Sequence, residues 1–391
     1  MTTTVSKYRL GDLTSFVSGG TPSKQIAAYW GGATPWVSAK DLKSLRIDSS
    51  IDTLSEEGRK IASVVPHDTL LILVRGMSLF KRIPIGIAMR DVAINQDLKG
   101  LMPNEKVSSL FLAYSLLARE DALLQMVEAA GHGTGRLDTD ALKDFIIRVP
   151  IREEQDSIVN VLATWDTAIE KIERLIAAKE RQKNGLMAKL LTGQRRVSGF
   201  KTAWRSWHLG DLFHERTETN RGDLTLLSIA RDEGVVPRSE MIRKDTSNAD
   251  KTKYLRICPG DIGYNTMRMW QGVSALSCYE GIVSPAYTIC IPGARIDGKF
   301  ASYLFKLPAV VNLFYRYSQG LTSDTWNLKF HHFAEIKVQI PEIKEQIAIA
   351  SVLAVQDDEL AILRRQREAL FQQKRGLMQK LLTGQWRVKL P

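Results

Sequence analysis

The stretch RGMSLFKRIP carries Arg75, Lys81 and Arg82 just past an apolar run, and YNTMRMWQG carries Asn265, Arg268, Trp270 and Gln271 in a matching place later in the chain. An arginine fork can grip guanine through two acceptors, and an asparagine or glutamine amide can pair with adenine. Such residues at strand ends therefore suit the reading of base edges in a groove. TPWVSAKDLK adds Trp36, Ser38 and Lys40, GLTSDTWNLK adds Ser323, Thr325 and Asn327, and GHGTG adds His132 and Thr134. Taken singly, each of these suits a solvated loop equally well.

Catalytic patterns are missing. There is no Gly-x-x-x-x-Gly-Lys-Ser/Thr loop, no His-Glu-x-x-His, no paired Cys-x-x-Cys and no Asn-Pro-Pro-aromatic stretch for holding a flipped base. GHGTG follows a helix-like stretch instead of a strand, which argues for a turn or a DNA-contacting loop over a phosphate cradle. His331 and His332 lack a third ligand nearby, so no metal is expected, and no cofactor either. Cys258, Cys278 and Cys290 are odd in number and are expected to be buried structural thiols. The chain should do no chemistry by itself.

What must position the candidate residues is a repeat. KNGLMAKLLTGQRRV from Lys183 returns as KRGLMQKLLTGQWRV from Lys374, and the match runs without a gap from Glu154–Val197 to Glu345–Val388, with 22 of 44 positions identical. Fainter echoes lie outside it. YRLGDL at Tyr8 answers WHLGDL at Trp207, and Pro66, Asp68 and Arg75 recur as Pro259, Asp261 and Arg268 at equal spacing. The chain thus divides into a variable block (1–151), a shared segment (152–197), a second block (198–341) and the shared segment again (342–391).

The shared segment reads as a long helix. Ile158, Leu162, Trp165, Ile169, Ile172 and Ile176 step by four and three, and Leu186 and Leu190 resume that phase after Lys179 and Lys183. The second copy supplies Ile349, Leu353, Leu360, Leu363, Leu370, Leu377 and Leu381, interrupted by Gln356, Arg367 and Lys374. Gly193 and Gly384 stand where a helix ends on a residue free to take positive φ. Two such helices of about 37 residues bury their seams most simply against one another, antiparallel because of the connectivity. The blocks read as α+β domains, with TLLILVRG, IGIAM and DIGYNTM as strands. LSEEGRKIAS reads as a short helix with Thr53 and Glu56 placed for a capping box. The expected fold class is α+β: two globular α/β domains joined by a pair of long antiparallel coiled-coil helices, a dumbbell with a pseudo-two-fold internal repeat.

Charge narrows the partner. The balance is +11 with a pI near 9.5, which favours an anionic partner and nucleic acid above all. Nothing approaches eighteen uninterrupted apolar residues and MTTTVSKYRLGD carries no apolar signal, so a soluble, cytoplasmic protein with no membrane partner is expected. The outer faces and polar interruptions of the helices are candidate docking surfaces for protein partners.

INQDLKGL from Ile94, GIVSPAYT from Gly281 and LMxKLLTG in both halves, on this block-and-helix plan, resemble the specificity subunit of type I restriction–modification systems over essentially the whole chain. The resemblance implies two target-recognition domains, each reading one half of an asymmetric bipartite site in double-stranded DNA, with the helices setting the gap. It also implies two modification methyltransferase subunits that carry the S-adenosylmethionine, and restriction subunits that join to cleave. A fused methyltransferase would need the missing motifs. A plain coiled-coil tether would leave two divergent basic blocks unexplained.

Overall fold

A computed structural model describes residues 5–230, 233–241, 250–322 and 325–388, apart from the side chain of His132. The chain forms two compact units. Unit 1 is Met1–Glu173 with Arg365–Pro391, and unit 2 is Arg174–Arg364. Each unit therefore takes one variable block, the near part of one long helix and the far part of the other.

Four helices matter here: α1 (Ser109–Ala118), α2 (Arg152–Leu190), α3 (Gly298–Leu304) and α4 (Ile343–Leu382). The long helices α2 and α4 have 39 and 40 residues, about 60 Å at ~1.5 Å per residue. Both stop where expected. Gly193 and Gly384 take φ of +72° and +75°, and the amides of Arg195 and Trp386 turn back onto the carbonyls of Lys189 and Lys380 at 3.0 and 2.9 Å.

Within each unit the helix segments run antiparallel. In unit 1 Glu154 meets Arg387 and, further along α2, Asp166 meets Lys374, so positions on α4 fall as those on α2 rise. In unit 2 Glu345 meets Arg196 and Asp357 meets Lys183. The seam is apolar as its spacing predicts. Ile158, Leu162, Ile169, Leu190, Leu353, Leu360 and Leu381 are buried, while Ile172, Leu186, Leu363 and Leu377 are half-buried. Met187 and Met378 turn inward beside Leu186 and Leu377, a position that the four-three spacing did not single out.

Unit 1 is built on β1 (Leu70–Leu73), a strand of four fully buried residues in the middle of a five-stranded sheet. The chain then leaves this sheet as β2 (Arg75–Gly76). On its other side β1 pairs with β3 (Leu98–Pro103), Leu98 lying opposite Leu73. Strands β4 (Val127–Ala130) and β5 (Thr134–Leu137) form a hairpin that β2 extends into a three-stranded sheet. GHGTG is thus the tip of a β-hairpin. It follows a strand, not a helix, and no helix N-terminus opens behind it, so it lacks the strand–loop–helix geometry that holds a phosphate.

Unit 2 centres on β6 (Ile262–Asn265), which pairs antiparallel with β7 (Tyr287–Pro292). Its core is aromatic: the rings of Phe213, Phe305, Phe314 and Phe333 pack at centroid distances of 5.3–6.1 Å.

Three expectations are corrected. The helix Glu56–Ile61 is capped by Ser55, whose hydroxyl takes the Gly58 amide at 3.1 Å; Thr53 lies in a strand and caps nothing. Of the cysteines only Cys290 is buried, Cys258 being half-buried and Cys278 exposed. The third correction concerns the match between the blocks. Asp68, at φ +68°, donates its amide to Ala88 as Gly260, at φ +92°, donates to Ser277. Leu73 lies opposite Leu98 as Asn265 lies opposite Tyr287. Asp68 therefore corresponds to Gly260, not to Asp261, and Arg75 corresponds to Met267, not to Arg268. The recurring Pro, Asp and Arg are out of structural step by one residue, which in a strand reverses the face a side chain occupies.

Candidate nucleic-acid interface

In unit 1 the exit of the central strand is a cationic platform. Arg136 on β5 lies directly opposite Arg75 on β2, and Glu128 on β4 lies opposite Arg136 on its other side. All three are exposed. Gly135 lets the strands approach, since a Cβ there would sit 3.0 Å from side-chain atoms of Leu79 and Val127. After Gly76 a single 3-10 turn, Met77–Phe80, is anchored by the buried Leu79. It leaves Met77 74% and Phe80 52% exposed, with Lys81 and Arg82 exposed just beyond. Among the described residues Arg75, Lys81 and Arg82 have no acidic partner, while Arg136 reaches Asp138 at 3.2 Å. Three free cations beside exposed apolar tips suit a phosphate-lined groove better than water alone. Arg136, Met77 and Phe80 were not among the sequence candidates. The alternation of the GHGTGRL hairpin could have pointed to Arg136.

The other unit 1 candidates fare differently. Trp36 is 5% exposed, its indole N–H donating to the Gly20 carbonyl at 3.1 Å and its ring edge-on to Trp30, so it holds a loop and reads nothing. The Ser38 hydroxyl is spent on Asp41 at 2.9 Å. Lys40 is exposed and has no acidic partner among the described residues, and Thr134 is half-buried with its hydroxyl turned to Gly131 at 3.4 Å. Ser323 and the side chain of His132 lie outside the described residues.

Unit 2 offers a cleft instead. About 620 Å3 in volume, it is lined by Glu215, Met267, Tyr287, Asn327, Lys329 and His331 among others. Glu215 is exposed, but partial desolvation by its surroundings raises its carboxyl above its ordinary value, and His331 opposes that shift. The Asn265 side-chain oxygen accepts the Met267 amide at 3.0 Å and so helps form the turn. Trp270 donates to the Met267 carbonyl at 3.0 Å and packs edge-on to Trp326, so it too supports the turn. Arg268 and Gln271 are exposed, and Arg268 has no acidic partner among the described residues. Thr325 closes a turn with Thr322, and Asn327 reaches the Thr325 carbonyl at 3.2 Å while facing the cleft.

Below each site the same set of side chains holds the block to the helices. Gln155 accepts the Ser108 amide at 3.1 Å and donates to the carbonyls of Lys106 and Pro150 at 2.8 and 3.0 Å. Gln346 does the same for Asp297, Arg295 and Pro341. Glu154 and Glu345, both buried, form two-pronged pairs with Arg387 and Arg196, every contact at 2.6 Å. On α1 Tyr114 donates to Asp166, which also takes Lys374; on α3 Tyr303 donates to Asp357, which also takes Lys183. Burial and then the aspartate hydrogen bond raise both tyrosine pKa values. The seam reading registered the two lysines only as interruptions and passed over the rest of this set.

Each unit is thus α+β, holds one antiparallel pair of helix segments, and ends its central strand in cations or beside a polar cleft. Comparison with known proteins shows what the chain is similar to. Residues 3–180 match the type I restriction modification DNA specificity domain. The chain is 31% identical over 166 residues to the EcoR124I/EcoR124II specificity subunit of Escherichia coli, and 30% identical over 170 residues to the MjaIX specificity subunit of Methanocaldococcus jannaschii. Those matches take in 42% and 41% of this chain and span 41% and 38% of the two relatives. The MjaVIII specificity subunit of the same archaeon is 23% identical across 97% of this chain and 92% of its own length. The solved S subunit from M. genitalium shares the fold, with a TM-score of 0.57 at 13% identity over 97% of this chain and 96% of that one. Over residues 3–180, and more distantly over nearly its whole length, the chain is similar to specificity subunits of type I restriction–modification systems.

Proposed function

We propose that the chain is the non-catalytic DNA reader of a type I restriction–modification complex. Each unit takes one half of a bipartite double-stranded site, and the shared helices set the gap between the halves. The observation that carries this reading is the free cationic platform of Arg75, Lys81 and Arg82 at the exit of a rigid buried strand. The divergent cleft at the corresponding exit in unit 2 implies a different second half-site. Phosphate contacts would fix position, and the side chains at the strand exits would read bases. Two modification subunits docking on the helices would bring S-adenosylmethionine and the adenine methyltransferase activity, and restriction subunits would join to cleave.

The test is methylome sequencing of cells carrying the chain with and without a cognate modification subunit. A new asymmetric bipartite motif, present only with both, is the expected outcome. Methylation by the isolated chain supplied with labelled S-adenosylmethionine would overturn the non-catalytic reading, and a symmetric motif would overturn the division between units.

A further inference from the structure

Lys374 and Lys183 occupy places where the seam calls for an apolar residue, in phase with Leu377 and Leu381 and with Leu186 and Leu190. Their side chains are only 13% and 21% exposed. Each ammonium pairs with an aspartate of the opposing helix and lies over the tyrosine ring that shares that aspartate, 5.1 Å from Tyr114 and 5.5 Å from Tyr303. An apolar lysine substitute would fill the seam without a charge to satisfy, so burial alone does not account for the choice.

Register does. The apolar pattern repeats every seven residues, so one helix could slip past the other by a heptad and still set Leu and Ile against Leu and Ile. Slipped one way, Lys374 would face Val159 and Lys183 would face Ala350, both without a carboxylate. Slipped the other way, Lys374 would face Glu173 but Lys183 would face Arg364. Only the observed alignment satisfies both.

We propose that Lys183 and Lys374 are register pins, positioning residues that admit one of the heptad-related alignments of the two helices and thereby fix the gap at which the chain reads DNA. The first part concerns this chain alone. The second rests on the function proposed above.

The experiment uses the full chain with Cys258, Cys278 and Cys290 replaced and nitroxide labels at N160C and Q379C, exposed sites on the two helices of unit 1. Pulsed EPR should give one distance in the parent. K183L/K374L should add a second population displaced by roughly 10 Å, one heptad at ~1.5 Å per residue, while melting no lower than the parent. K183R/K374R should keep the single distance. A single unshifted distance in the leucine variant would overturn the pin, and a lower melting point with that unshifted distance would make the lysines merely structural. Should the double variant fail to fold, K374M with the same labels decides by the same criterion.

The second arm measures methylation of a library of targets with graded gaps, with modification subunits present. The leucine variant should accept a second gap class about three base pairs away, at ~3.4 Å per base pair. Shifted distances with unaltered gap choice would overturn the link from register to gap. Absence of any methylation in the parent would count against the proposed function, while the EPR arm would still decide the pin.

Discussion

Arg75 and Arg136 stand directly opposite one another across two antiparallel strands; Arg136 also reaches Asp138, and Arg75 has no acidic partner among the described residues. Like charges so placed repel, and the arrangement is relieved when an anion lies over both. R75A should relax discrimination at one base of the first half-site by ~1–3 kcal/mol if the guanidinium reads a base edge. R136A should weaken matched and mismatched duplexes alike and reduce the salt slope by about one ion, as a phosphate contact does. Binding titrations on both duplexes at two salt concentrations separate the roles, and unchanged binding in both variants would remove the platform from the interface.

Met267, not Arg268, holds the place in unit 2 that Arg75 holds in unit 1. M267A should therefore change selectivity in the second half-site, through an apolar contact such as a thymine methyl. R268A should lower affinity for every sequence to a similar degree. The reverse pattern in the same titrations would restore the arginine-to-arginine equivalence that the sequence suggests.

Gln155 satisfies one amide and two carbonyls where its block meets α2, and it is 1% exposed. Q155A strands those groups and should destabilise unit 1 by about 2 kcal/mol or more. Q346A should do the same to unit 2. R364A breaks only an exposed pair with Glu180 and should cost less than ~1 kcal/mol. Urea unfolding of the three variants ranks them, and equal effects would deny the glutamines their role.

Because the Glu215 carboxyl is lifted by partial desolvation, its ionised form works against the folded state. That cost is absent below the ordinary glutamate value near ~4.3 and grows as pH rises through and beyond it. E215Q should accordingly raise the melting temperature at neutral pH and leave it unchanged near pH 4. A gain of equal size at both values would assign the effect to packing.

The long helices were legible because their spacing, their glycine stops and their duplication all say the same thing. The antiparallel direction followed from connectivity. Side-chain roles inside the blocks were less legible, because a side chain such as Asn265 can bond its own backbone as readily as a base. Trp36 looked like a surface aromatic but is a core residue, a distinction set by Gly20 some sixteen positions earlier in the chain. The one-residue slip between blocks was hidden by the recurring Pro, Asp and Arg, and is revealed by the hydrogen bonds of Asp68 and Gly260 and the strand partners of Leu73 and Asn265. The clamps of Gln155 and Gln346 lay in plain view among identical positions, but helix periodicity says nothing of what a polar residue bonds beyond its helix.

Unit 2 is one continuous run of chain, Arg174–Arg364, whereas unit 1 needs Arg365–Pro391 to complete it. Synthesis on the ribosome therefore inverts the order of maturation. The first block emerges early but waits for Lys374 and Arg387, which are made after both blocks, while the second block can close on residues already at hand. During that wait Ile158 and Leu162 of α2 pack against the first block but lack Met378, Leu381 and Leu382 from α4. Premature termination anywhere after residue 364 should thus leave a finished second unit attached to an unfinished first one, and quality control that removes such chains would act on the end of the molecule that was made first.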